Sequence, residues 1–150
     1  MEEYKVLITT SGIGKRLGKL TDFTNKALIR VGDKPAISHI VEYYPENTKF
    51  VITLGHFGNH IKDFLSLAYP NRKFEFIKID KYKGLGSSLL YSISKTKHLL
   101  QCPFIFHASD TILTSGDSLP NLTDNWGAGA FKEETSQYRT LLITNNKISK

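Results

Sequence analysis

Cysteine occurs once, at Cys102, and tryptophan once, at Trp126. A lone thiol forms no internal disulfide, so the chain is not a disulfide scaffold, and the count agrees with a reducing compartment. Cys102 is given no catalytic role. No apolar run approaches the length that spans a bilayer, which excludes a transmembrane helix of the usual kind. The start, Met1-Glu2-Glu3-Tyr4-Lys5, is too polar and acidic for a signal peptide. A soluble, cytoplasmic protein with no membrane partner is expected. Nor is there a run of Lys and Arg interleaved with aromatics; the basic residues scatter from Lys5 to Lys150, so no nucleic-acid surface is expected. Internal repeats and low-complexity stretches are absent.

What is present suits one globular domain: 150 residues, 40% hydrophobic, with only five prolines. The 20 basic residues outnumber the 14 acidic ones, for a net charge of +6, and such a field favours anionic partners, phosphorylated metabolites among them.

Strand and helix signals alternate. Tyr4 to Thr10 is a short, apolar, β-branched run that reads as a buried strand feeding a loop, and Phe50 to Leu54 is the next. Between them Pro35 can occupy the first turn of a helix to about Tyr44, with Ile37, Ile40 and Val41 on one face. Phe57 to Leu67 has helical spacing, Phe74 to Ile79 reads as a strand, and Gly84-Leu85-Gly86 opens a helix from about Ser87 to Lys97. Pro103 to His107 supplies a fourth strand, ending at Ser109-Asp110. This order predicts an α/β fold, a Rossmann-like three-layer α/β/α sandwich with a mainly parallel central sheet and helices on both faces. Right-handed crossovers would gather the strand C-termini at one edge, where such sheets bind ligands. Beyond Asp110, Gly127 to Phe131 and Tyr138 to Thr144 look like two further strands, mixed in direction. Asn145-Asn146 is a turn signal, and Lys147 to Lys150 looks like the opening of a strand without a partner. The whole, residues 1–150, is therefore expected to be one domain truncated at its C-terminal end.

Ser11-Gly12-Ile13-Gly14-Lys15-Arg16-Leu17 follows the first strand directly, and glycines there let backbone N–H groups approach a phosphate. A Walker-type loop does not fit, because Thr9 stands where its first glycine belongs and Arg16 where its Ser or Thr belongs. A dinucleotide fingerprint lacks its third glycine, since Leu17 occupies that place. The first mismatch disfavours a P-loop enzyme and the second an oxidoreductase.

Fixed offsets carry more. Thr21 lies five residues and Lys26 ten residues after Arg16, and Gly32-Asp33-Lys34-Pro35 follows. Val51 to His56, Gly84 to Leu89, and the apolar run Phe104 to Asp110 come next. In these elements the chain resembles the sugar-phosphate nucleotidyltransferase family over about two thirds of its length. It departs from the pattern at Lys15, where a small hydroxyl residue is usual, at Lys19 and Asn25, where prolines are common, and at Ser109, where glycine is usual.

The resemblance implies transfer of a nucleoside monophosphate from a nucleoside triphosphate to a phosphorylated small molecule, first of all a sugar-1-phosphate, with release of pyrophosphate. It implies that Ser11, Gly12, Ile13, Gly14 and Lys15 cradle the nucleotide, and that Gly84 and Ser87 help hold the base. It assigns catalytic roles to Arg16, toward the leaving pyrophosphate, and to Lys26, near the α-phosphate. Asp110 is implied as a ligand for Mg2+. Two alternatives stay open: a CTP-dependent enzyme of the phosphocholine type, to which Asp80-Lys81-Tyr82 and the Ser-rich segment also point, and a nucleotide-binding module without turnover. A homo-oligomer is left open. His56 and His60 lack the intervening Glu and third ligand of a zinc pair, and His107 is expected to pack rather than react. None of Asp117, Asp124, Glu133 or Glu134 matches the second metal-binding acid of the family.

Overall fold

The computed structural model describes residues 4–114, together with 125, 127, 143–145 and 147–148. Four strands, β1 (Lys5–Thr9), β4 (Lys49–Leu54), β5 (Lys73–Lys78) and β6 (Phe104–Ala108), form one parallel sheet in the order β5-β4-β1-β6. β1 and β4, in the middle of the sheet, are nearly unbroken apolar runs, as strands covered on both faces require, whereas edge strand β5 carries Lys73, Glu75 and Lys78. In β1, Val6, Leu7 and Ile8 are fully buried, and so are Phe50, Val51 and Ile52 in β4.

Two short strands missing from the sequence reading, β2 (Arg30–Val31) and β3 (Lys34–Pro35), make an antiparallel hairpin before the first helix. Two-residue strands have no period for a pattern to reveal. Helix α1 runs over Ala36–Tyr43, with Pro35 at its N-cap instead of inside its first turn, because Pro35 is still paired with Arg30. Helix α2 runs over Gly58–Ala68. Helix α3 covers only Leu89–Lys95, shorter than the expected 87–97. Ser88 is extended and its hydroxyl caps the helix by accepting from the Tyr91 amide, while Lys97–Leu99 tightens into a 3-10 turn.

Side-chain alternation along the strands separates the two faces of the sheet. Leu7 and Val51 pack with Ile93 of α3 and with Leu99 and Leu100. On the opposite parity, the Phe50 and His107 rings stand edge-on to Tyr44 at the end of α1. Helical elements therefore cover both faces, the three-layer arrangement of a Rossmann-like α/β fold.

The strand order also locates a crevice. From β1 the chain moves outward through β4 to β5, then returns across β1 to β6 on its other side. Thr9 is in register with Ala108 at the ends of neighbouring β1 and β6, where the strand order reverses direction, and such switch points are where α/β sheets bind ligands.

Residues 119–150 form a separate compact unit. Within it β7 (Ile143–Thr144) pairs antiparallel with β8 (Lys147–Ile148), so the final segment does have a partner, contrary to the sequence expectation. Asn145, between them, has a left-handed φ of 50°, as a tight hairpin turn demands. All but Gly127 of the expected strand at Gly127–Phe131 and most of that at Tyr138–Thr144 lie outside the described residues, as do Asp117, Asp124, Glu133 and Glu134.

Candidate active site at the ends of the first and last parallel strands

The loop after β1 is held from below by buried polar contacts. Thr10 and Thr53 bond reciprocally: the Thr10 amide donates to Thr53 Oγ1 at 3.1 Å, and Thr10 Oγ1 donates to the Thr53 carbonyl at 2.6 Å. Ser11 Oγ and Ser92 Oγ lie 3.1 Å apart and tie the loop to α3. The His56 amide donates to the Ser11 carbonyl at 3.0 Å. These bonds commit the Ser11 side chain and carbonyl to structure, which leaves backbone N–H groups as what the loop can offer a phosphate.

Gly14 has φ 66°, and a Cβ there would lie 3.0 Å from Thr21 Cγ2 and 3.2 Å from Lys26 Cβ. The loop glycine, Thr21 and Lys26 are thus one contact, and their sequence offsets record that contact. Gly14→Ala is expected to cost about 1–2 kcal/mol from the left-handed backbone alone, besides pushing Lys26 aside. Urea unfolding would measure it, and an unchanged midpoint would contradict it.

Lys26 reaches across the crevice: its Nζ donates to Asp110 Oδ2 at 3.0 Å, with side chains 22% and 56% exposed. Partial burial pushes the Asp110 carboxyl up, but the Lys26 hydrogen bond and charge, aided by the charge of Arg16, hold it below its ordinary value overall. Arg16, Lys26 and Asp110 therefore share one electrostatic neighbourhood, with Lys15 and Arg16 exposed beside it. A cavity of about 310 Å3 opens beside Lys26, lined also by Ser11, Gly12, Ile13, Lys81, Tyr82 and Ser87 among others. Gly84 is not part of its lining; its carbonyl accepts from the Ser87 hydroxyl at 2.7 Å and so shapes the loop that is.

No family model matches the chain. Individual relatives do. Over 110 residues it is 29% identical to a bifunctional protein GlmU of Methanococcus vannielii, covering 73% of this chain and 25% of that one. Over 108 residues it is 29% identical to a choline-phosphate cytidylyltransferase of Streptococcus pneumoniae, covering 71% and 44%. A solved CTP:phosphocholine cytidylyltransferase from Streptococcus pneumoniae superposes with a TM-score of 0.61 at 28% identity, over 72% of this chain and 45% of that one. In sequence and fold alike, the chain is similar to nucleotidyltransferases. The likeness to a UDP-glucose pyrophosphorylase, TM-score 0.61 at 22% identity over 79% and 49%, adds the fold alone. The chain spans only a quarter and less than half of the lengths of these two curated relatives.

Several residues that build this candidate site carry no sequence signal of their own. Gly55 lies so close to the loop that a Cβ would fall 2.4 Å from the Ser11 carbonyl oxygen and 2.8 Å from Tyr82 Cβ. His56 is a tether, not half of a zinc pair: one ring nitrogen, Nε2, lies 2.9 Å from the Thr21 carbonyl, and Phe57 stacks on His60 instead.

His107, although close in sequence to Asp110, is enclosed. Its Nε2–H donates to the Thr111 carbonyl at 2.9 Å, and its Nδ1 accepts from the Tyr44 hydroxyl at 2.8 Å. These partners fix a neutral tautomer, and burial holds its pKa below the ordinary 6.5 despite the opposing effect of the Thr111 carbonyl. The unfolded chain takes up this proton more readily, so stability should fall as pH drops through 6.5 and then further toward the lower folded value. Denaturant midpoints on either side of that pH, in wild type and His107→Gln, should show a shallower dependence in the variant; equal slopes would rule the assignment out. Burial acts in the opposite sense on Tyr44, pushing its hydroxyl pKa up.

Proposed function

We propose that the protein transfers a nucleoside monophosphate from a nucleoside triphosphate to a phosphorylated small molecule, a sugar-1-phosphate before other acceptors, and releases pyrophosphate. The observation that carries this reading is the Lys26–Asp110 pair at 3.0 Å, set beside the glycine loop at the switch point of a parallel sheet. In such a reaction an acceptor phosphate oxygen attacks the α-phosphorus in line, a new P–O bond forms, and the bond to pyrophosphate breaks. The protein need not supply a nucleophile; it must orient both reactants and offset accumulating negative charge.

The residues present divide that work. Backbone N–H groups of Gly12 to Lys15 face the triphosphate, Arg16 meets the leaving pyrophosphate with its planar fork of donors, and Lys26 meets the α-phosphate. Ser87 and the wall around Tyr82 bound the nucleoside. Asp110 would hold Mg2+: the described residues assemble no cage of three or more His, Cys, Asp or Glu, and Mg2+ is a cation content with one carboxylate, several waters and substrate phosphates. Bound there, it would neutralise developing charge on the phosphates. A cytoplasmic setting fits these substrates, and no described helix is long and apolar enough to cross a membrane.

A phosphocholine acceptor with CTP is the second reading, favoured by the 28% identity and shared fold with the solved CTP:phosphocholine cytidylyltransferase. Incubation of the purified protein with each NTP, Mg2+ and a panel of sugar-1-phosphates and phosphocholine decides between them by pyrophosphate release. Tight NTP binding with no pyrophosphate from any acceptor would replace both readings with a binding module.

A further inference from the structure

Asn25 stands immediately before Lys26 and is completely buried. Its side chain spends every hydrogen-bonding group it has. The amide nitrogen donates to the Thr10 carbonyl at 2.7 Å and to the His56 carbonyl at 2.6 Å, and the amide oxygen accepts from the Ala27 amide at 3.0 Å. Three segments far apart in sequence therefore meet on one side chain: the end of β1, the turn after β4, and the 3-10 turn Lys26–Leu28 that begins with the lysine. A planar amide suits this junction, because two donors and one acceptor must be presented in fixed directions and both carbonyls lack another way of binding each other. Removing it would leave acceptors beneath the loop without their donor, which a buried site tolerates poorly.

The consequence reaches Lys26 through the backbone. Asn25 caps the turn twice, since its carbonyl also accepts from the Leu28 amide at 2.9 Å, and this fixes where the Lys26 Cα sits relative to β1. From there the lysine stem passes Gly14 and its Nζ meets Asp110. We infer that Asn25 is a positioning residue: its side chain locks the β1 loop, the β4 turn and the Lys26 turn together and so aims Lys26 across the crevice at Asp110. This rests on the nucleotidyltransferase reading for its use in turnover, but the positioning itself is a property of the resting protein.

The backbone at Asn25, φ −78° and ψ 143°, lies within reach of proline. Asn25→Pro therefore preserves the local path while deleting all three side-chain bonds, and Asn25→Ala deletes them without stiffening the chain. Melting curves first establish that each variant folds. Lys26 is then followed by competitive acetylation and mass spectrometry, with exposed Lys15 as the internal reference. Release of the clamp should raise Lys26 labelling several-fold relative to Lys15 in both variants. Folded variants whose Lys26 labelling equals wild type would overturn the inference, even if their melting temperatures fall. In turnover, Asn25→Ala should lower kcat about tenfold with acceptor KM unchanged, and should add no further loss to Lys26→Ala, the non-additivity expected of coupled residues. Additive losses would mean that Asn25 only supports the fold. Wild-type protein that releases no pyrophosphate would sink the proposed reaction, and the labelling result would then decide the positioning role alone.

Discussion

Lys26→Ala is expected to abolish most pyrophosphate release, by about 100- to 1,000-fold in kcat, the usual loss when one preorganised donor to a developing charge is removed. The variant should fold, because an ion pair in which Asp110 is more than half exposed contributes little to stability. Asp110→Asn is expected to match it in direction for a different reason: it keeps the shape of the side chain but removes the charge that pairs with Lys26 and that the proposed Mg2+ would use. Steady-state pyrophosphate assays at saturating NTP, with circular dichroism as a check on folding, test both. Folded variants with wild-type kcat would remove the crevice from the reaction.

The second large effect is structural. Gly55→Ala places a methyl group 2.4 Å from the Ser11 carbonyl oxygen and 2.8 Å from Tyr82 Cβ, and the nearest of these atoms is backbone. Relief requires the loop or the β4 turn to move, which breaks the bond from the His56 amide to the Ser11 carbonyl. Overpacking of this kind costs about 1–3 kcal/mol or more, so the melting temperature should drop by about 5–10 °C. Because the displaced atoms border the cavity, nucleotide affinity should fall as well. A calorimetric scan showing an unchanged transition would exclude so close an approach.

Much of this could be read in the sequence, for identifiable reasons. The central strands β1 and β4 are short apolar runs ended by polar or glycine-bearing loops, and a strand buried on both faces leaves that trace; β5 and β6 showed through their aromatic and β-branched residues. The offsets among Gly14, Arg16, Thr21 and Lys26 were readable because three of the four residues touch. Helix α3 was misjudged at its start, since Ser87 and Ser88 look like helix residues yet Ser88 is an extended cap. What could not be read was non-local. Nothing in the local pattern says that Thr10 exchanges two hydrogen bonds with Thr53, that Ser11 meets Ser92, or that Asn25 bonds to Thr10 and His56. Asn25 showed only as an asparagine where a proline was expected, and its meaning required the carbonyls around it.

The contact among Gly14, Thr21 and Lys26 also bears on how the intervening stretch can change over time. Leu17, Leu20 and Phe23 are 41%, 62% and 85% exposed, so their identities are weakly constrained by packing. The number of residues is another matter. One deletion between Gly14 and Lys26 would shift the chain by up to about 3.8 Å, more than the Lys26–Asp110 bond can absorb. Substitutions should accumulate at Leu17, Leu20 and Phe23 while insertions and deletions between Gly14 and Lys26 do not, so these three exposed positions act as a spacer defined by its length.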